Sequence, residues 1–93
     1  MIKSFKDKET EKIYKQQFSA RISQGIQKVA LRKLMMIDAA EKLEDLRIPP
    51  GNRLEILQGD REGECSIRVN DQYRICFAFD NGDATDVEIV DYH

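Results

Sequence analysis

The amino-acid sequence predicts an α+β fold, with two N-terminal helices packed on one face of a twisted, mainly antiparallel sheet of four to five strands. Three observations lead to this prediction. Helical patterns precede strand patterns, paired prolines separate the two halves, and 93 residues suit a single domain (1–93) with one core. Because the predicted helices cover only one sheet face, we expect the other face to carry the function.

The first half of the chain contains two segments with helical periodicity. Apolar residues between Lys8 and Phe18 recur at three-to-five-residue spacing, and Asp7 is a suitable N-cap. A second helix, capped by Ser23, carries one apolar stripe over residues 26–43. Residues 1–5 alternate weakly between apolar and polar, which predicts a short edge strand before the first helix.

After the prolines the period changes to two. Pro49 and Pro50 remove backbone donors and force an extended backbone, so the second helix must end before them. The Asn81-Gly82 pair is a strong hairpin signal and predicts an antiparallel return. Strands are predicted at residues 53–58, 64–69, 73–79 and 84–92.

Composition excludes several classes of protein. A hydrophobic fraction of 41% argues against general disorder, and no apolar run approaches the roughly 20 residues of a membrane span. We expect a cytoplasmic protein, because charged residues follow Met1 and Ile2 at once where a signal peptide would be apolar. The net charge of −2 does not indicate a nucleic-acid binder by itself.

The sequence contains no motif typical of cofactor or metal binding. Cys65 and Cys76 are the only cysteines and are expected to be buried free thiols, and the one histidine is His93. A glycine-rich phosphate loop, a Cys-x-x-Cys pair and a nucleophile elbow are all missing. We therefore expect neither a cofactor nor a metal site.

Arg74 is the first candidate for binding an anion. It alternates with Tyr73 and Ile75, so its guanidinium should project from the sheet face that the helices leave open. A guanidinium is always charged and offers a planar fork of donors, which fits a phosphate or a pentacovalent phosphorus species. The alternative is a cross-strand ion pair with Glu88 or Glu64.

His93 is the second candidate, because it is the only side chain that normally titrates near neutral pH. Asp91, two residues earlier, and the chain's terminal carboxylate should favour the imidazolium form, which would make His93 a competent acid. The alternative is a frayed terminus without a role.

Taken together, several segments resemble HigB-type toxins of the RelE/ParE superfamily. The resemblance covers essentially the whole chain, and its most specific part combines the central strand pattern with Asp91-Tyr92-His93 at the end. The matching segments are residues 1–5, 50–54, 59–63, 66–77 and 87–93.

The resemblance implies a single RelE/ParE-like toxin domain that acts as an mRNA endoribonuclease in the ribosomal A site and so inhibits translation. It implies a HigA-type antitoxin partner whose helix-turn-helix domain binds the shared operator. Family chemistry needs no metal: the ribose 2′-OH attacks the adjacent phosphorus, a base removes its proton, an acid protonates the leaving 5′ oxygen, and cations stabilise the phosphorane.

Carried onto this chain, the resemblance assigns phosphate stabilisation to Arg74 and catalysis to Asp91, Tyr92 and His93. Tyr92 would stack on a base or orient it. Where some family members have a catalytic histidine, this chain has Glu55, which could act as a base but would be a poorer acid at neutral pH.

Two further arginines are assigned to RNA binding. Arg53 and Arg68 are predicted to form a positive patch with Arg74 beside His93, which would compensate for the acidic overall charge. Gln58 supplies no cation where a basic residue often occurs in the family.

Two other functions stay open at the level of sequence. The same scaffold could inhibit DNA gyrase without chemistry of its own, as ParE-like toxins do, because fold does not fix function. Alternatively, Glu55 could mark a weakened toxin that acts mainly as an antitoxin partner and operon co-repressor.

Overall fold

A computed structural model of the chain describes residues 1–92, and His93 lies outside the described residues. The fold is α+β, as predicted, with two helices packed on an antiparallel sheet of order β1-β2-β3-β4. None of the helices in residues 1–92 is both long and apolar enough to cross a membrane. The elements are α1 (Lys8–Tyr14), α2 (Gln24–Ala39), β1 (Glu55–Ile56), β2 (Glu64–Arg68), β3 (Tyr73–Asp80) and β4 (Asp83–Asp91).

The predicted N-terminal edge strand is reduced to two isolated bridges. Ile2 and Phe5 pair in parallel with Ala84 and Val87 of β4. The Lys3 backbone N–H donates to the carbonyl of Ala84 at 2.7 Å. This short segment covers the outer edge of the first half of β4, which would otherwise expose unpaired backbone groups.

Helix α1 begins as predicted and ends earlier. The Asp7 carboxylate accepts a hydrogen bond from the Thr10 backbone N–H at 3.1 Å, as an N-cap does. The helix ends at Tyr14 instead of Phe18 because Gln16 adopts a left-handed backbone with φ 62°. Phe18 is 67% exposed, so no burial favours further helix there.

Helix α2 is also shorter than its apolar stripe. Ser23 occupies the N-cap position, but its side chain makes no capping hydrogen bond. The helix ends at Ala39, and Ala40 is extended, so Leu43 starts a separate 3-10 helix at Leu43–Arg47. Two further 3-10 turns, Pro50–Asn52 and Gly59–Arg61, lie on either side of β1.

The strands follow the predicted order, and β1 is the one that differs most in length. It contains only Glu55–Ile56 of the predicted residues 53–58, because Arg53 has a left-handed backbone and cannot continue a strand. Strands β2 and β3 match their predicted positions to within a residue. A register shift between Cys76 and Ala78 bends the β3–β4 pair.

One hydrophobic core lies between α2 and the inner face of the sheet. Leu34 and Ile37 of α2 are fully buried. They meet the inward side chains of the two central strands, and each fully buried aliphatic or aromatic side chain contributes about 1.5–3 kcal/mol. The sheet contribution comes mainly from Ile67, Ile75 and Phe77.

Both cysteines are buried free thiols, as predicted. Burial raises the pKa of the Cys65 thiol to about 12 and also raises the pKa of Cys76, so both thiols are protonated in the folded chain. In the unfolded chain they ionise near pH 9, so the folded state holds more protons between about pH 9 and 12.

The free energy of unfolding should therefore fall as pH rises through this window. Replacing Cys65 with alanine removes one of the two groups, and we expect the decline between pH 8 and 10.5 to become shallower in urea unfolding. An unchanged slope in the Cys65→Ala variant would contradict the assignment.

Candidate active site on the open sheet face

The sheet face opposite the helices, called here the open face, is organised in rows by strand register. One row contains Glu55, Ser66, Cys76 and Glu88, one residue from each strand. The next row places Arg68 of β2 directly opposite Arg74 of β3, followed by Val90 of β4. Directly opposed residues share a face, so the pairing brings two arginine side chains to the same region of the open face.

Arg74 lies on this face, as the alternation of β3 predicts, but it is only 8% exposed and does not project freely into solvent. Its Nε donates to the Ser66 hydroxyl at 2.8 Å, and its Nη2 donates to the carbonyl oxygens of Arg53 at 2.6 Å and Ser66 at 3.3 Å. Its Nη1 lies 3.3 Å from Glu55 Oε1. The guanidinium is therefore fixed on three sides by the protein.

The arrangement leaves one edge of the guanidinium for a ligand. Of its five N–H groups, Nε and Nη2 supply the three bonds to Ser66 and Arg53. Nη1 faces Glu55, whose side chain is 55% exposed. An anion that reaches this edge meets a preorganised charge and competes only with a partly solvated carboxylate.

Tyr92 covers the guanidinium from the end of β4. The Arg74 carbon Cζ lies 5.9 Å from the centre of the Tyr92 ring, within the range of a cation–π contact. Burial raises the pKa of Tyr92, and the neighbouring Cys76 thiol, to which its hydroxyl is hydrogen-bonded, adds to the shift. The hydroxyl is therefore protonated at neutral pH, and the ring contacts Arg74 through one face and Cys76 through its hydroxyl.

The alternative ion pairs expected for Arg74 belong instead to Arg61. Its Nη1 lies 2.9 Å from Glu64 and its Nη2 lies 2.8 Å from Glu88, so Arg61 bridges β2 and β4 across Cys76. Hydrogen bonding to Glu88 is the largest of the effects that raise the pKa of Arg61. Arg74 is thereby left with Glu55 as its carboxylate partner in residues 1–92.

The other predicted RNA-binding arginines lie at the rim of this site. Arg68 forms an ion pair with Asp71, which is almost fully exposed. The Arg53 side chain is exposed, while its backbone carbonyl holds Arg74. The Arg53 backbone and the Arg68 strand position therefore lie beside Arg74, and the positive patch of the three side chains stays a prediction.

Asp91 lies on the other side of β4 from the Arg74 row. It pairs in register with Tyr73, and its carboxylate accepts a hydrogen bond from Gln72 Nε2 at 3.0 Å. The predicted catalytic role of His93, and the orienting role of Asp91 toward it, concern a residue outside the described part of the chain and stay predictions.

Sequence reasoning missed three residues of the site. Ser66 anchors Arg74, Arg61 forms ion pairs with both neighbouring glutamates, and buried Asn52 lies next to Arg53. Ser66 has the same outward parity as Arg68 within β2, so aligning the parities of β2 and β3 could have found it. The other two lie in irregular segments, where periodicity gives no signal.

Comparison with known proteins supports the resemblance to HigB-type toxins. Residues 3–93 match the HigB-like toxin family, described as RelE-like toxin of type II toxin-antitoxin system HigB. Toxin HigB-1 of Vibrio cholerae serotype O1 is 48% identical over 83 residues, which cover 88% of this chain and 87% of that protein. Endoribonuclease HigB of Proteus vulgaris is 37% identical and aligns over the full length of both chains.

The fold also matches a solved structure. A chain in the YoeB-YefM complex from Staphylococcus aureus superposes with a TM-score of 0.60, covering 100% of this chain and 98% of that one. At 17% identity this likeness supports the fold alone. The family matches nearly every residue of the chain, and the two relatives are similar over most of their length. The chain therefore belongs to the HigB family of RelE-like toxins from type II toxin-antitoxin systems.

Proposed function

We propose that this toxin is a metal-independent endoribonuclease that cleaves mRNA in the ribosomal A site and so inhibits translation. The observation that supports this most is the Arg74 guanidinium, fixed on the open face beneath Tyr92 with one donor edge toward Glu55. The full-length relative from Proteus vulgaris, named an endoribonuclease, is consistent with that chemistry.

In the proposed reaction the 2′ oxygen forms a bond to the adjacent phosphorus while its proton passes to a base. The bond from phosphorus to the 5′ oxygen then breaks, and an acid donates a proton to that oxygen. The products are a 2′,3′-cyclic phosphate and a 5′ hydroxyl. Arg74 stabilises the extra negative charge of the phosphorane through its fixed charge and its Nη1 donors.

Glu55 is proposed as the base and His93 as the acid. The Glu55 carboxylate pairs with Arg74 Nη1 in the free protein and is half exposed. A scissile phosphate that takes this edge of the guanidinium would displace Glu55, which would then be adjacent to the 2′-OH and free to accept its proton. Asp91, two residues earlier in the chain, would orient His93.

The remaining residues are proposed to bind RNA. The Tyr92 ring is 45% exposed and could stack a base on the side away from Arg74. Arg53 and Arg68 would contact backbone phosphates, which is an electrostatic contribution that weakens with salt. Their loss should raise the concentration for half-maximal cleavage more than it lowers the maximal rate.

The partner is proposed to be a HigA-type antitoxin with a helix-turn-helix domain, through which alone the complex would bind operator DNA. The site of action is proposed to be the cytoplasm, where translating ribosomes supply the substrate.

Mapping of mRNA 5′ ends after brief induction tests this function directly. We expect new 5′ ends at codon-spaced positions of translated messages, absent from cells that express the His93→Ala variant at equal level. Intact mRNA with DNA damage would favour gyrase inhibition instead. Intact mRNA without growth arrest would favour a weakened toxin that acts as a co-repressor. This is the second candidate function, because Glu55 pairs with Arg74 where some family members have a catalytic histidine.

A further inference from the structure

We propose that Asn52, held in place by Lys33 of α2, is a positioning residue that fixes the backbone on which Arg74 is anchored. This proposal rests on the proposed function, because it assigns Asn52 to the same site. Neither residue touches the guanidinium. Asn52 is connected to the Arg74 guanidinium through the backbone carbonyl of Arg53, the residue next to Asn52.

Asn52 is completely buried, and every polar atom of its side chain is used. Its Oδ1 accepts a hydrogen bond from the Lys33 ammonium, and its Nδ2 donates to the Leu46 carbonyl at 3.1 Å. The Met36 sulfur lies 3.8 Å from the same nitrogen. One side chain therefore ties the segment before β1 to α2 and to the 3-10 helix Leu43–Arg47.

Lys33 is an unusual partner for an amide. It is only 8% exposed, and no carboxylate within residues 1–92 forms an ion pair with it. Desolvation lowers the pKa of its ammonium, and the charges of Arg32 and Arg68 lower it further. A buried charge without a hydrogen-bond partner is strongly unfavourable, so Lys33 constrains Asn52 firmly.

The constraint passes directly to the next residue. Arg53 has a left-handed backbone with φ 45° and ψ 56°, a conformation that residues other than glycine seldom adopt. Asn52 fixes the chain before it, and the pairing of Glu55 with Ser66 fixes the chain after it. The Arg53 carbonyl is thereby directed at Arg74 Nη2, 2.6 Å away.

Without the anchor, the Arg53 backbone can relax toward ordinary dihedral angles and withdraw its carbonyl. Arg74 would keep its bonds to Ser66 but lose one of its three fixed sides. Because small displacements of a charge-stabilising group lower the rate of the chemical step, the effect should fall on the maximal rate of cleavage and not on RNA binding.

The test uses Asn52→Ala, Lys33→Met and the variant that combines these two substitutions. Ser19→Ala is the control. Ser19 is a matched control because it is 1% exposed and its hydroxyl bonds Glu9 and the Arg21 backbone, in the loop before α2. Single-turnover cleavage of mRNA on translating ribosomes gives the maximal rate and the half-saturating concentration. The exchange rate of the Arg74 Nη–H protons with solvent, measured by NMR, reports on the bond between Nη2 and the Arg53 carbonyl.

We expect Asn52→Ala to lower the maximal rate about tenfold to a hundredfold, with the half-saturating concentration unchanged within about twofold. Exchange of the Arg74 Nη–H protons should accelerate, because Nη2 loses its bond to the Arg53 carbonyl. The double variant should be no worse than the poorer single variant, because both remove the same bond. Ser19→Ala should change neither the rate nor the exchange.

Two results would overturn the inference. One is an Asn52→Ala variant, folded by circular dichroism, with normal cleavage and normal Arg74 exchange. The other is equal effects of Asn52→Ala and Ser19→Ala, which would indicate general destabilisation. If Arg74→Ala itself cleaves normally, the proposed function fails, whereas the exchange measurement still decides whether Asn52 positions Arg74.

Discussion

Replacing Arg74 with alanine should lower the single-turnover rate of mRNA cleavage about a thousandfold. The variant removes the charge that faces the phosphorane and leaves Glu55 without its partner. Arg74→Lys keeps a positive charge, but an ammonium cannot bond Ser66 and the Arg53 carbonyl in a plane while also presenting an edge to phosphate. We therefore expect the lysine variant to recover only a small part of the rate.

The stability of these variants must be measured beside their activity. Arg74→Ala leaves the buried Ser66 hydroxyl and the Arg53 carbonyl without their donor, at a cost of about 1–3 kcal/mol. Arg47→Ala is the control, because this substitution removes the same formal charge from an exposed position. Arg47 lies at the end of the 3-10 helix Leu43–Arg47. A folded Arg74→Ala variant that cleaves as fast as Arg47→Ala would contradict the role of Arg74.

The second large effect concerns the core. Phe77 is fully buried on the inner face of β3, in edge-to-face contact with Phe79 at 6.4 Å between ring centres. Phe77→Ala should lower the free energy of unfolding by about 3–5 kcal/mol, which is a large part of the total for a domain of this size.

Phe18→Ala provides the matched comparison, since it makes the same chemical change at a side chain that is 67% exposed. We expect its effect to stay within about 0.5 kcal/mol. Thermal unfolding of both variants is the measurement. Similar losses of stability in the two variants would contradict the assignment of Phe77 to the core.

Much of this architecture follows from local patterns. The alternation of β3 separates Phe77 from Arg74, because successive side chains of a strand point to opposite faces. The Asn81-Gly82 turn joins β3 to β4, and Asn81 and Gly82 both have positive φ, as that turn requires. From these two features alone, the core face, the open face and the position of Arg74 on it could be predicted.

The surroundings of Arg74 could not be predicted in the same way. Its exposure of 8% results from the Arg53 backbone, Glu55 and Tyr92, which approach from distant parts of the sequence. Their approach depends on the register of β1 against β2 and on the left-handed turn at Arg53. Neither feature produces a periodic pattern in the sequence. Glu64 and Glu88 lie on the same sheet face as Arg74, so the alternation of side chains gave no reason to prefer Glu55 as its partner.

The ends of the helices illustrate the same limit. The apolar stripe of α2 continues to Leu43, but that side chain packs against the core from a 3-10 helix and not from α2. Periodicity thus identified which side chains are buried, while the place where the helix stops depended on the backbone at Ala40. Burial was easier to predict than conformation.

The most direct measurement of the proposed chemistry uses the substrate and not the protein. A message is prepared with a single 2′-deoxynucleotide at a mapped cleavage position and translated in a purified system with the wild-type toxin. We predict that cutting at that position is lost while neighbouring sites are still cut, and that the unmodified message yields 2′,3′-cyclic phosphate ends. Persistent cleavage beside the deoxynucleotide would contradict attack by the 2′-OH.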